Sequence, residues 1–235
     1  MIPKLVHLSW KTKDILESNH SLITNGVGRL QQMNPNWKFV VSDDNDIEDY
    51  LRDNLTTKGY DLIRNVHIVQ KSDLWRLFKI YNEGGLYIDI DRLCNIKLDD
   101  IITDEIQWVL PTCRDYDFSQ DIMMSSPSNP VFARTIELFM QRKKEGCDNT
   151  YFLGSQTYMH SITMMLYGTL INTNPSLEIM NNIRQTISEL RFIKTYREDP
   201  PNDTIVYHGN EIDNWENLKR DFYGKSNIKH WTGEW

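Results

Sequence analysis

Apolar and polar positions alternate along the chain in a way that separates strand-like runs from helical stripes. Leu5-Val6-His7-Leu8, following Pro3, has the length and composition of a short buried strand, and Lys38-Phe39-Val40-Val41 is a second such run. Between them, residues 22–33 read as a helix that stops ahead of Asn34-Pro35, because proline disfavours helix in the residue before it. The acidic turn Ser42-Asp43-Asp44-Asn45-Asp46 is placed to cap a helix beginning near Ile47. A strand–helix–strand–helix opening points to an open α/β sheet wound by crossover helices.

The next segment is the most legible. Leu74, Leu77, Phe78 and Tyr81 recur at i, i+3, i+4 and i+7, the buried stripe of an amphipathic helix. Ser72 is its natural N-cap, and Asp73 falls in the favourable first turn. Glu83-Gly84-Gly85 ends the helix, since glycine enters positive φ at little cost. Residues 86–91, Leu-Tyr-Ile-Asp-Ile-Asp, then read as a strand. Further strands are expected at 106–110 and 121–125, helices at 131–144, 155–167 and 176–190, and a late strand at 204–208 before a tryptophan-rich tail. No repeat, low-complexity tract or linker interrupts the pattern, so residues 1–235 are expected to form a single domain.

Composition narrows the function. The 26 basic and 33 acidic residues leave a net charge of −7, which argues against non-specific nucleic-acid binding. The N-terminal stretch meets lysines too early for a secretory core, and no apolar run approaches the roughly 18 residues that span a bilayer. Cys94, Cys113 and Cys147 are odd in number and scattered, fitting neither a disulfide framework nor a zinc site. A soluble protein of the cytoplasm or another reducing compartment is expected.

Two groupings carry candidate chemistry. Asp89 and Asp91 sit at i, i+2 on one strand end, where two carboxylates repel unless positive charge lies near them. A hard divalent cation, Mn²⁺ or Mg²⁺, would resolve the conflict, and a solvated strand end is the plainer alternative. Asp73 and Arg76 lie at i, i+3 on one helix face, as a surface ion pair or as paired ligands for a polar substrate.

In context the stretch KSDLWRLFKIYNEGGLYIDIDRL resembles the signature of DxD glycosyltransferases of the Och1-like and capsular-polysaccharide type (family 32-like), also shared by the glucosylating clostridial toxins. Ser72, Asp73, Arg76, Tyr81, Gly84, Gly85, Tyr87, Asp89 and Asp91 match that pattern. The opening IPKLVHLSW and the closing KHWTGEW are similar to that family's ends, through Ile2, Pro3, Lys4, His7 and Trp10 and through His230, Gly233 and Trp235.

The resemblance implies a GT-A-type fold, an open and mostly parallel Rossmann-like sheet flanked by helices. It implies a metal-dependent, retaining hexosyltransferase that moves a sugar from a nucleoside diphosphate donor (a UDP-sugar favoured, GDP-mannose second) to a hydroxyl of a glycan or other acceptor. On that basis Asp91 is the best direct metal ligand, Asp89 faces the ribose or reaches the metal through water, and His230 is nominated as a third ligand. Asp73 would accept from ribose or sugar hydroxyls, and Arg76 would donate to the sugar or diphosphate. Trp10 would stack on the base, with backbone near Leu8 reading the base edge and Tyr87 lining the donor site. Trp235 would contact the diphosphate or sugar. Asp121 is the counterpart of a family asparagine near the anomeric carbon, or simply opens a strand.

Two further departures qualify the match. Glu234 replaces the usual serine of the tail, and only Gly154 matches the acceptor-side loop. His208 and Asp213 are weaker acceptor-side candidates, and His7 reads as a buried structural histidine. Two other classes stay open: a haloacid-dehalogenase-like phosphohydrolase, whose nucleophile also lies in a DxD, and a non-catalytic nucleotide-sugar or carbohydrate-binding protein.

Overall fold

Strand β1 (Leu5–Ser9) lies between β2 (Lys38–Ser42) and β3 (Gly85–Ile88), pairing parallel with each. The computed structural model describes residues 1–94, 97–113, 118, 120–168, 190–196, 206–207 and 215–226. The remaining strands are β4 (Leu93–Cys94), β5 (Trp108–Cys113), β6 (Ile122–Ser125), β7 (Leu190–Tyr196) and β8 (Val206–Tyr207). They form one eight-stranded sheet in the order β2-β1-β3-β6-β5-β7-β8-β4. Four pairings are parallel (β1 with β2 and β3, β7 with β5 and β8), and three are antiparallel (β6 with β3 and β5, β4 with β8). The open, predominantly parallel sheet anticipated from the sequence is therefore present, with the turnover in direction at β6.

Side-chain alternation sorts the strands between two cores. Val6, Leu8, Leu86 and Ile88 point to one face, with Ile2, Leu22, Leu30 and Trp37. Tyr87, Trp108 and Met123 point to the other, against helices α5 (Ile68–Glu83), α6 (Pro130–Lys144) and α8 (Ser155–Gly168).

The expected helix over 22–33 is two helices, α1 (Ser21–Asn25) and α2 (Val27–Met33), broken at Gly26. A Cβ at Gly26 would fall 2.8 Å from the Leu22 carbonyl and 3.1 Å from that of Arg92, so the break seats this segment against the end of the DxD turn. Helix α3 (Asp44–Asn54) starts three residues ahead of the expected Ile47, inside the acidic turn read as its cap, with Asp43 and Asp46 forming a reciprocal capping box. Helix α4 (Thr57–Ile63) follows it.

Helix α5 corrects the sequence reading. It begins at Ile68, not at Ser72, and its N-cap is His67, whose ring nitrogen accepts from the Val69 N–H. Ser72 and Asp73 are thus interior residues one turn into the helix. The helix is buried on more than its apolar stripe: Asp73 and Arg76 are buried along with Leu74, Trp75, Leu77 and Ile80. The expected helix at 176–190 falls outside the described residues except for Leu190, which opens β7.

Candidate active site at the DxD turn

The site forms where β3 runs out. Gly84 and Gly85 both hold positive φ (68° and 94°), and a Cβ on Gly84 would lie 2.8 Å from Pro127 and 2.9 Å from Pro3. Only glycine fits this turn, which swings the chain from α5 directly into β3. His7 donates from Nε2 to the Gly84 carbonyl at 3.0 Å, and burial holds its imidazole below the usual pKa, as expected of a structural histidine.

Past Ile88, the Asp89 N–H still donates to the Asp121 carbonyl at 2.8 Å, prolonging the ladder by one residue. The Arg92 N–H then donates to the Asp89 carbonyl at 3.1 Å and closes a tight turn. This turn sends the two carboxylates to different partners. Asp89 accepts from the Tyr87 hydroxyl at 2.6 Å and pairs with Arg76 at 3.2 Å. Asp91 pairs with Lys219 at 3.2 Å and lies 4.0 Å from Arg92, which itself sits 2.6 Å from Asp121.

Arg76 is the organising cation. Its guanidinium pairs with Asp73 at 3.0 Å, reaches Asp89, donates to the Gln120 carbonyl at 3.3 Å, and lies 4.4 Å above the Tyr87 ring. The surface-pair alternative for Asp73 and Arg76 fails here, since the two side chains are only 6% and 9% exposed. Ser9 bridges strand and helix, its hydroxyl within 3.1 Å of Ser72 and 3.4 Å of Tyr87.

Electrostatics follows from this layout. Burial pushes the Asp73 carboxyl up to about 6 despite the opposing Arg76 charge. Burial also raises Asp89, with Arg76 opposing it. Asp91 goes the other way: burial would raise it, but Lys219 and Arg92 together hold it below the ordinary carboxylate range. Among the described residues, two buried carboxylates (Asp73, Asp121) and two partly buried ones (Asp89, Asp91) interleave with three cations (Arg76, Arg92, Lys219), leaving one net negative charge. The protein's own cations therefore relieve the repulsion read from the sequence.

Among the described residues, no three His, Cys, Asp or Glu side chains converge on a metal cage. A hard divalent ion that keeps its waters and draws other ligands from substrate phosphates needs only one or two carboxylates. Asp91 and Asp89 are the carboxylates of the DxD turn that would offer such an ion its oxygens.

Residues 21–108 match the family model described as the glycosyltransferase sugar-binding region containing the DXD motif. This part of the chain is similar to the sugar-binding region of DXD glycosyltransferases. A 135-residue stretch is 26% identical to inositol phosphoceramide mannosyltransferase 1 of Schizosaccharomyces pombe, covering 57% of this chain and 42% of that protein. A 165-residue stretch is 29% identical to inositol phosphoceramide mannosyltransferase 2 of the same organism, covering 68% of this chain and 44% of that one. The matched stretches thus span less than half the length of these relatives. Among solved structures, the PaToxG glycosyltransferase aligns with a TM-score of 0.50 and 16% identity, over 80% of this chain and 77% of that one. The open α/β sheet is the glycosyltransferase fold anticipated for a DXD region.

Of the residues singled out from the sequence, the structure brings Asp73, Arg76, Tyr87, Asp89, Asp91 and Asp121 together in one cluster around the DxD turn. Leu8 is buried within β1, one residue beyond the last β1–β3 pair. Trp10 follows the strand, its N–H donating to the Ser42 carbonyl at 3.1 Å, and its ring stacks on Phe222 at 4.9 Å. His208, Asp213, His230, Glu234 and Trp235 lie outside the described residues. Gly154 packs directly against Asp73 and Gln120.

Sequence reasoning missed Arg92, Gln120 and Lys219. Arg92 adjoins the motif and was open to inspection. Lys219 carries no local signal beyond its place on helix α9 (Trp215–Lys225).

Proposed function

We propose that the protein transfers a hexose from a nucleoside diphosphate sugar to a hydroxyl of a glycan or lipid-linked acceptor, with Mn²⁺ or Mg²⁺ held at Asp91 and Asp89 and with retention of anomeric configuration. The carrying observation is the buried Asp73–Arg76 pair linked to Asp89 beside Asp91, within the matched DXD region. The mannosyltransferase names of the relatives favour mannose as the sugar, and hence GDP-mannose over a UDP-sugar as donor. They also make an inositol-phosphate lipid an acceptor to be tested beside free glycans.

Each side chain has a derivable part. Ionised Asp73 accepts from sugar or ribose hydroxyls, and Arg76 fixes its position while presenting remaining N–H groups to an oxyanion. Tyr87 orients Asp89 through its hydroxyl and shields Arg76 with its ring. When bound, the divalent ion supplies neutralisation of the diphosphate leaving group. Trp10 and its aromatic neighbours offer a flat surface to the base. The phosphohydrolase reading asks Asp89 to attack phosphorus, and that carboxylate is instead committed to the Tyr87 hydroxyl and the Arg76 guanidinium.

The test is a panel of GDP-mannose, UDP-glucose and UDP-galactose, read first by thermal shift with Mn²⁺ and then by transfer to glycan and inositol-lipid acceptors. GDP-mannose should stabilise most, chelator should abolish transfer, and Asp91→Asn should lower turnover by about 100-fold or more with the fold intact. The anomeric configuration of the product is read by NMR. Full transfer in chelator, or a near-normal rate for Asp91→Asn, would overturn the reading.

A further inference from the structure

The donor-site reading leaves Lys219 of α9 without a task. The helix's Trp215, Lys219, Phe222 and Tyr223 fall at i, i+4, i+7 and i+8 and so share one helix face. That face is fastened to the DxD turn and to Trp10. The Trp215 indole donates to the Asp91 carbonyl at 3.3 Å, Lys219 Nζ lies 3.2 Å from Asp91 Oδ2, and Tyr223 engages the same carboxylate. Phe222 stacks on Trp10.

The side chain of Lys219 is 7% exposed, and an ammonium is costly to bury without strong compensation. It sits on an oxygen that a divalent ion would use. Such ions bind carboxylate oxygens at about 2.0–2.6 Å, so an ion on Oδ2 would lie within a few Å of the ammonium and be repelled by it. A diphosphate reverses this balance, because its oxygens accept charge-assisted hydrogen bonds from an ammonium that has left the carboxylate.

We propose that Lys219 is a stand-in cation for the DxD turn. It neutralises Asp91 while no nucleotide is bound, weakens binding of the bare divalent ion, and moves onto the diphosphate when metal and nucleotide arrive together. The chain thereby makes metal loading depend on the nucleotide. This rests on the donor-site reading above.

The experiment titrates Mn²⁺ alone into the full chain, following loss of the free-ion EPR signal, and then titrates GDP and UDP with Mn²⁺ present by calorimetry. Lys219→Met and Lys219→Gln should bind Mn²⁺ alone about tenfold more tightly or better, and the Mn²⁺–nucleotide about tenfold more weakly or worse. Lys219→Arg, which keeps the charge, should bind Mn²⁺ alone as the parent does. Adding Asp91→Asn to Lys219→Met should erase the gain. Unchanged or weaker Mn²⁺ binding in whichever of the Met and Gln variants melts cooperatively would overturn the proposal. Failure of both to fold would also overturn it, by making Lys219 a purely structural counter-ion. A parent chain that binds neither nucleotide with Mn²⁺ takes down the donor-site reading and this proposal together. A parent that binds them normally, beside unaltered variants, takes down the proposal alone.

Discussion

Gly154→Ala isolates how tightly the Asp73 carboxylate is held. Gly154 separates helix α7 (Thr150–Leu153) from α8 at a negative φ of −87°, and the space around it leaves no room for a side chain. A Cβ there would lie 2.5 Å from Asp73 Oδ2 and 3.0 Å from its Cγ, and closer still to the Gln120 amide nitrogen. Ordinary heavy-atom contact is about 3.5 Å or more, so the carboxylate must retreat by about 1 Å. Asp73 is 4% exposed and tied to Arg76, so the movement comes at the expense of that 3.0 Å pair. Overpacking of this kind costs about 1–3 kcal/mol. A misplacement of about 1 Å in a positioning group lowers rate by on the order of 100-fold. Gly154→Ala is therefore expected to fold, to melt several degrees lower, and to lose about 100-fold in kcat/KM for donor hydrolysis or transfer. Gly224→Ala is the matched control, because nothing lies within 4 Å of a Cβ there. A Gly154→Ala protein within about threefold of the parent rate and with an unchanged melt would refute the claim that Asp73 is rigidly placed.

Arg76→Lys keeps the charge but loses the fork that spans Asp73, Asp89 and the Gln120 carbonyl, and steady-state kinetics should register a tenfold or greater fall in kcat/KM with unchanged circular dichroism. The Asp73 carboxyl, raised by burial to about 6, keeps a proton in the native state that the unfolded chain releases above its ordinary 3.8. Its ionisation therefore subtracts stability as pH rises through that window, by about 3 kcal/mol at most. Urea unfolding between pH 4 and 7 should show this slope in the parent and not in Asp73→Asn; equal slopes would assign it elsewhere. Trp10→Ala should weaken nucleotide binding about tenfold or more by calorimetry, and unchanged affinity in a folded variant would end the base-stacking assignment.

Local pattern carried the N-terminal half well. The β1 and β2 runs, the Asp43 cap, the Gly84-Gly85 stop and the carboxylate pair were all legible because short-range chemistry decides them. The start of α5 was not, because Ser72 looks like a cap while its hydroxyl is spent on Ser9, and His67 performs the capping from outside the apolar stripe. The same stripe suggested a helix with one wet face, and Tyr87, Gln120 and Gly154 cover that face instead, which turns Asp73–Arg76 from a surface pair into a buried one. Strand β7, Leu-Arg-Phe-Ile-Lys-Thr-Tyr, lacks clean alternation, and its parallel place between β5 and β8 is fixed only by tertiary pairing. The chemical role of Asp91 was readable, but its counter-ion was not, since no sequence period links a turn at 91 to a lysine at 219.

That separation has a kinetic consequence. The Trp215–Asp91 hydrogen bond joins residues 124 apart, whereas the Arg76–Asp73 pair and the Tyr87–Asp89 bond close within one or two helix or strand steps. Loop-closure entropy grows with the length of chain enclosed, and contacts of such long range form late in folding. During synthesis β1, α5 and β3 emerge together and can organise Asp73, Arg76 and Asp89 while α9 is still unmade. Asp91 meanwhile awaits its ammonium. Arrival of α9 then completes the charge balance of a turn translated long before it.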